Sequence, residues 1–237
     1  MRRGFVLVAL VLLVAACAGG GKKPQGTPAT TTGAAATTTT AVSVAADQAK
    51  ARTLLLRSSD FPAGWRATPA KEDPSEKAFN DEVAACVGLP SPDTYTTARV
   101  DSSDFSKGNA GVSSRAALVR TVEDFQADVA AASGPKYAPC LKRGLGRLLV
   151  EQNPGASLQS VTVEPVRVPR YGAFSMGFRV AVKLLVQGQA VRGYLDLVLL
   201  GKGRTELTVT LSNPDQPFDP SLGRSLVAKL GARLAAA

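Results

Sequence analysis

From Phe178 onward the side chains alternate for the length of a strand: Phe178, Val180, Val182, Leu184 and Val186 are apolar, while Arg179, Ala181, Lys183, Leu185 and Gln187 between them are mixed. A period of two sends successive side chains to opposite faces, so this stretch reads as a strand with one face buried. Gly188-Gln189 supplies a hairpin signal, Val191, Gly193, Leu195, Leu197 and Leu199 carry the apolar set forward, and Gly201-Lys202-Gly203 marks the next turn. Leu207, Val209 and Leu211 then alternate with Glu206, Thr208 and Thr210, and residues 158–168 add a further strand. The pattern predicts a four-stranded antiparallel meander. A closing helix is expected over 221–236, with Leu222, Leu226, Leu230 and Leu234 packed on the sheet.

The half before the meander alternates helix and strand signals. A first helix is predicted over 44–57. It ends in Ser58-Ser59-Asp60-Phe61-Pro62-Ala63-Gly64-Trp65, where Pro62 and Gly64 punctuate a turn. Trp65, the sole tryptophan, reads as a packing anchor at the start of a short strand. Phe79, Val83, Cys86 and Val87 fall at helical spacing over 75–87, and strands are expected over 96–105 and 111–120. Thr121-Val122-Glu123-Asp124 opens another helix with a relative of the capping box, its inner side marked by Phe125, Val129 and Ala132. After a break at Gly134-Pro135, a further helix carries Cys140, Leu141, Leu145, Leu148 and Leu149. The expected fold class is therefore α+β: a mostly antiparallel sheet with a C-terminal four-stranded meander, packed against helices and closed by a C-terminal helix. Residues 47–237 suffice for a single domain of this kind.

The N-terminus reads differently. Arg2 and Arg3 precede an apolar run from Phe5 to Ala16, the charge and core order of a secretory signal. Twelve apolar residues are too few to span a bilayer, for which a helix needs roughly 20. Val14-Ala15-Ala16-Cys17 resembles the bacterial lipobox, in which the cysteine thiol takes a diacylglyceryl group before cleavage. The resemblance implies a signal peptide over 1–16 and a lipid-bearing Cys17; the alternative is an ordinary secretory peptide cut beside an unrelated cysteine. Residues 17–46 are rich in Gly, Ala, Thr and Pro, with Lys22 and Lys23 the only charges and a Thr37–Thr40 homopolymer, a composition that builds a tether and no core.

Charge and composition remove whole function classes. Taking Arg2 and Arg3 from the 28 basic residues leaves 26 against 19 acidic ones, a net charge of about +7 on the mature chain. That favours contact with anionic headgroups. The basic residues are scattered, so nucleic acid is not implied. There is no histidine, which removes the commonest general base and the usual zinc and copper ligand sets. With Cys17 lipidated, Cys86 and Cys140 form an even pair in an oxidising compartment and are expected to be bonded; two free buried thiols are the alternative. Gly201-Lys202-Gly203-Arg204 lacks phosphate-loop spacing and sits between strands. Asp101 and Asp104 with Ser102 and Ser103 lack the glycine and closing glutamate of a calcium loop and read as a solvated strand edge. No Gly-x-Ser-x-Gly or Ser-x-x-Lys is suitably placed. Neither a cofactor, a metal nor an enzymatic activity is implied.

The lipobox, the Thr-rich tether and the helix ending in Leu-Leu-Leu-Arg-Ser-Ser-Asp-Phe-Pro-Ala-Gly-Trp, followed by Ala138-Pro139-Cys140-Leu141, resemble actinobacterial surface lipoproteins. The order is similar to the sensor-type domain also found outside the membrane on mycobacterial serine/threonine kinases. That resemblance spans most of 47–237 and implies an α+β sandwich with a ligand cleft between sheet and helices. The kinase sensor has two disulfides where this chain has cysteines for one. In the meander, Arg170, Tyr171, Arg179, Arg192 and Tyr194 are candidates for holding an anionic lipid headgroup or a glycan, and ordinary solvated strand residues would look the same. The leading expectation is a non-enzymatic binding or sensor domain, lipid-anchored on the extracytoplasmic face of the cell membrane. The alternative is a structural or partner-binding subunit of an envelope protein complex. A lipid carrier ranks below both, because eight Phe, four Tyr and one Trp are few to line an apolar void.

Overall fold

The computed structural model describes residues 43–71 and 73–237. The expected signal peptide, Cys17 and most of the expected tether lie outside the described residues. Among the described residues, five helices flank one mostly antiparallel sheet of eight strands, giving the α+β architecture that the patterning implies. In chain order these are α1 Val44–Leu54, β1 Arg66–Thr68, α2 Pro74–Val87, β2 Thr96–Asp101, β3 Asp104–Lys107, β4 Ala110–Val119, α3 Val122–Ser133 and α4 Tyr137–Gln152. They are followed by β5 Ala156–Val166, β6 Phe174–Val186, β7 Gln189–Lys202, β8 Thr205–Asn213 and α5 Pro220–Ala236. The strand order is β1-β3-β4-β8-β7-β6-β5, with β2 also paired to β4. The last four strands form the expected meander. No described helix is long and apolar enough to cross a membrane.

Local chemistry sets the boundaries. Helix α1 stops at Leu54, before the expected residue 57, because Leu55 turns extended and Ser58–Asp60 form a 3-10 turn whose Asp60 carboxylate accepts from the Arg57 N–H at 2.8 Å. The same carboxylate pairs with Arg233 of α5 at 2.7 Å, so this acid of the Ser-Ser-Asp-Phe-Pro segment ties the end of α1 to the last helix. Trp65 packs beside Phe61, ring centroids 5.0 Å apart, and the stack continues to Phe105 of β3. Thr121 caps α3 through a full capping box with Asp124.

One expected strand is two. Between β2 and β3 the chain steps out of regular pairing, and Ser102 fills the gap: its N–H donates to the Ser114 carbonyl at 2.8 Å and its Oγ accepts from the Ser114 N–H at 2.9 Å. The solvated edge expected at 101–104 is corrected accordingly, since Ser102 is buried within the ladder and Asp101 is paired with Arg115 at 2.7 Å. A hydroxyl standing in for a backbone carbonyl at a strand irregularity leaves no trace in an apolar pattern.

The sheet carries a core on each side. Helices α1 and α5 cover one face, where Val198 and Leu200 of β7 meet Leu207, Val209 and Leu211 of β8 beneath Leu226, Leu230 and Leu234. Helices α2 and α4 cover the other, where Phe178 and Val180 of β6 and Leu195 of β7 pack under Leu141, Leu145 and Leu148. Gly144 permits the closeness of α2 and α4: a Cβ there would stand 3.0 Å from the Phe79 ring and 3.2 Å from Val83. Cys86 of α2 and Cys140 of α4 are joined by a disulfide with their Cα atoms 5.8 Å apart.

Candidate ligand cleft between the sheet and three helices

The apolar face changes sides between β7 and β8. Pairing of Leu199 with Thr208 and of Gly201 with Glu206 turns the polar set of β8 toward α2, α3 and α4, while Leu207, Val209 and Leu211 face α5. Across β2, β4, β8 and β7 this builds two rows: Arg99, Ala117, Glu206 and Gly201 in one, Asp101, Arg115, Thr208 and Leu199 in the next. These rows are the floor of a partly open cleft of about 250 Å³. Its walls are Phe79 and Val83 of α2, Phe125, Asp128 and Val129 of α3, and Tyr137 at the start of α4. A Cβ at Gly201 would collide with the ring of Phe125, so glycine at that position lets α3 close the inner end.

The charges inside are organised in two groups. Arg115 bonds both Asp101 and Glu76, the latter with 4% of its side chain exposed. Glu76 Oε2 has no hydrogen-bond partner among the described residues. Burial pushes the Glu76 and Asp101 carboxyls up and the shared guanidinium only partly counters it. Arg99, the other cation of the floor, is drawn to Asp93 at 2.8 Å.

The second group is a carboxyl pair. Asp128 and Glu206 lie in side-chain hydrogen-bond contact, and the Tyr95 hydroxyl donates to Asp128 Oδ1 at 2.8 Å. Two carboxyls in such contact need a proton between them. Burial raises both, and the charge of Asp128 drives Glu206 well above the usual carboxylate range. Burial and Asp128 likewise keep Tyr95 a neutral donor, and burial pushes Tyr137 up to about 12. Four carboxyls and two guanidiniums thus line a recess with aromatic walls, on a chain of net charge +9.

The candidates in the meander lie elsewhere. Arg179, Arg192 and Tyr194 share the strand face turned away from α2 and α4, because Arg179 pairs with Asp196, Ala181 with Tyr194 and Lys183 with Arg192. Arg179 is committed to Asp196 through two bonds of 2.7 Å. Tyr171 packs against Gly231 of α5, and Arg170 stands exposed in the preceding loop. None of these five residues lines the cleft. The cleft residues are absent from the sequence expectation because Glu206 and Thr208 look like the solvent face of a strand. The available signal was the unbroken apolar run Leu197-Val198-Leu199-Leu200, which marks β7 as buried on both faces.

No protein-family profile matches the chain, and no curated protein matches it at a significant level. Among solved structures it is similar to the extracellular domain of PknH from Mycobacterium tuberculosis, at 11% identity and a TM-score of 0.43, over 80% of this chain and 97% of that one. Residue roles are therefore taken from this chain's own geometry.

Proposed function

We propose that the chain is a membrane-tethered, extracytoplasmic binding domain of the cell envelope that holds a small ligand in the cleft between its sheet and helices α2, α3 and α4, without enzymatic activity. The observation that carries this reading is the cleft itself: aromatic walls, a polar floor, and carboxyl groups raised by burial converging in about 250 Å³. Ligand cavities span roughly 300–1,000 Å³, so the occupant is small. A partner-binding subunit would favour a contiguous exposed apolar patch. Among the described residues the exposed large hydrophobics are Val44, Val122 and Val150, on three different helices. A lipid carrier suits the charged floor poorly.

The tether half of the reading rests on Val14-Ala15-Ala16-Cys17. Cys17→Ala moves the protein from the membrane to the soluble fraction on cell fractionation; retention of the variant in carbonate-washed membranes would place the anchor elsewhere. For the binding half, Ala117→Trp fills the floor between Arg99 and Glu206. A small-molecule extract of the cell envelope raises the melting temperature of the wild type and leaves Ala117→Trp unmoved, since a ligand that binds only the folded state stabilises it by mass action. Equal shifts in both proteins, or in neither, would defeat the cleft reading.

A further inference from the structure

The carboxyl excess inside the cleft runs against the charge of the rest of the chain. Over the whole chain 28 basic residues outnumber 19 acidic ones; within the cleft, Glu76, Asp101, Asp128 and Glu206 face Arg99 and Arg115. The two guanidiniums are already engaged. Arg115 serves Asp101 and Glu76 at once, and Arg99 turns to Asp93. At the inner end no cation meets the Asp128–Glu206 pair, whose described neighbours are the Tyr95 hydroxyl from beside β2, Asp124 on α3 and Tyr137 on α4, with Arg99 acting only at longer range. Glu76 adds an independent sign of the same deficit. It is 3% exposed, it lines the cleft, and its Oε2 has no partner among the described residues. A buried carboxylate oxygen without a donor costs about 1–3 kcal/mol or more, and groups of this kind in folded proteins call for a missing partner.

We infer that the ligand of this cleft is a small organic cation, an ammonium or amidinium head seated at Asp128 and Glu206 on an apolar body lying beside Phe125 and Phe174. This deepens the binding-domain reading and rests on it. The head supplies N–H donors to two acceptors that have only the Tyr95 hydroxyl and their own shared proton. The body occupies the aromatic end of the cavity, where Phe125, Phe174 and Leu199 turn toward the void. An anionic ligand would instead meet the negative charge left on the proton-sharing Asp128–Glu206 pair, with both guanidiniums already engaged by carboxylates of the chain. That outcome is disfavoured by Coulomb repulsion in a recess where water screens poorly.

Calorimetry on the full chain with three probes of one body, phenylbutylamine, phenylbutanol and phenylbutyrate, separates the classes. At pH 7 the ammonium binds at least about tenfold tighter than the alcohol, as a charge-assisted bond on one head group implies, and the carboxylate binds weakest. The isosteric double variant Asp128→Asn with Glu206→Gln removes that preference and leaves alcohol binding in place. Should the variant fail to fold, the ranking of the three probes on the wild type still decides the matter. Alcohol or carboxylate binding as tightly as the ammonium, and blocked by Ala117→Trp, would overturn the cationic class while sparing the cleft reading. Binding of none of the three overturns the class too, and the melting comparison with envelope extract then decides the cleft reading separately.

Discussion

Asp104 illustrates how much a single side chain in this protein depends on its surroundings. It sits at the start of β3, its Oδ1 without a partner among the described residues, and burial followed by the charge of Asp101 raises it to about 6 from an ordinary 3.8. The folded chain therefore holds this proton more tightly than the unfolded chain does. Its effect on stability is absent below about 4, grows as pH rises toward 6, and above that leaves the fold weaker. Asp104→Asn removes the penalty. The variant melts higher than the wild type at pH 7.5, by the equivalent of less than about 1 kcal/mol because water reaches the site, and the two converge at pH 4. A lower melting temperature for the variant at pH 7.5 would refute the account of this carboxyl. In the sequence Asp101 and Asp104 look alike as solvated acids, since nothing in a run of Asp and Ser reveals that Arg115 and Glu76 close over one of them.

At the scale of elements, legibility followed periodicity. The hairpins of β6, β7 and β8 and helix α5 were evident because each has an apolar set at one clear period. The face on which each set lies was not. The register that pairs Leu199 with Thr208 sets the floor of the cleft, and register follows from turn geometry and pairing partners that lie outside any one strand. Cysteine arithmetic did reach across elements, since Cys86 and Cys140 join α2 to α4 over a separation of 54 residues. Closing such a loop stabilises the fold by about 4 kcal/mol in the chain-entropy account. Cys86→Ser with Cys140→Ser accordingly lowers the denaturant midpoint appreciably, against a total stability that for domains is roughly 5–15 kcal/mol. An unchanged midpoint would mean that the α2–α4 contact, with Phe79 and Val83 against Gly144, holds the two helices without the bond.

For the whole molecule, the N-terminal motif and the folded domain make separate contributions. The lipobox-like segment and the tether carry the proposal of a membrane-anchored, extracytoplasmic protein, and that proposal rests on sequence alone. The domain offers two faces: an open strand surface where Arg179 is already paired with Asp196, and a recess behind α2, α3 and α4 whose carboxyls exceed its cations. The central claim is that the second of these holds a ligand. Native mass spectrometry of the protein taken gently from its own membrane tests it most directly. The account predicts a small-molecule mass on the wild type, retained in Arg179→Ala with Arg192→Ala and lost in Ala117→Trp. A bound mass that survives Ala117→Trp and disappears with the arginine pair would move the site to the open strand face and contradict the claim.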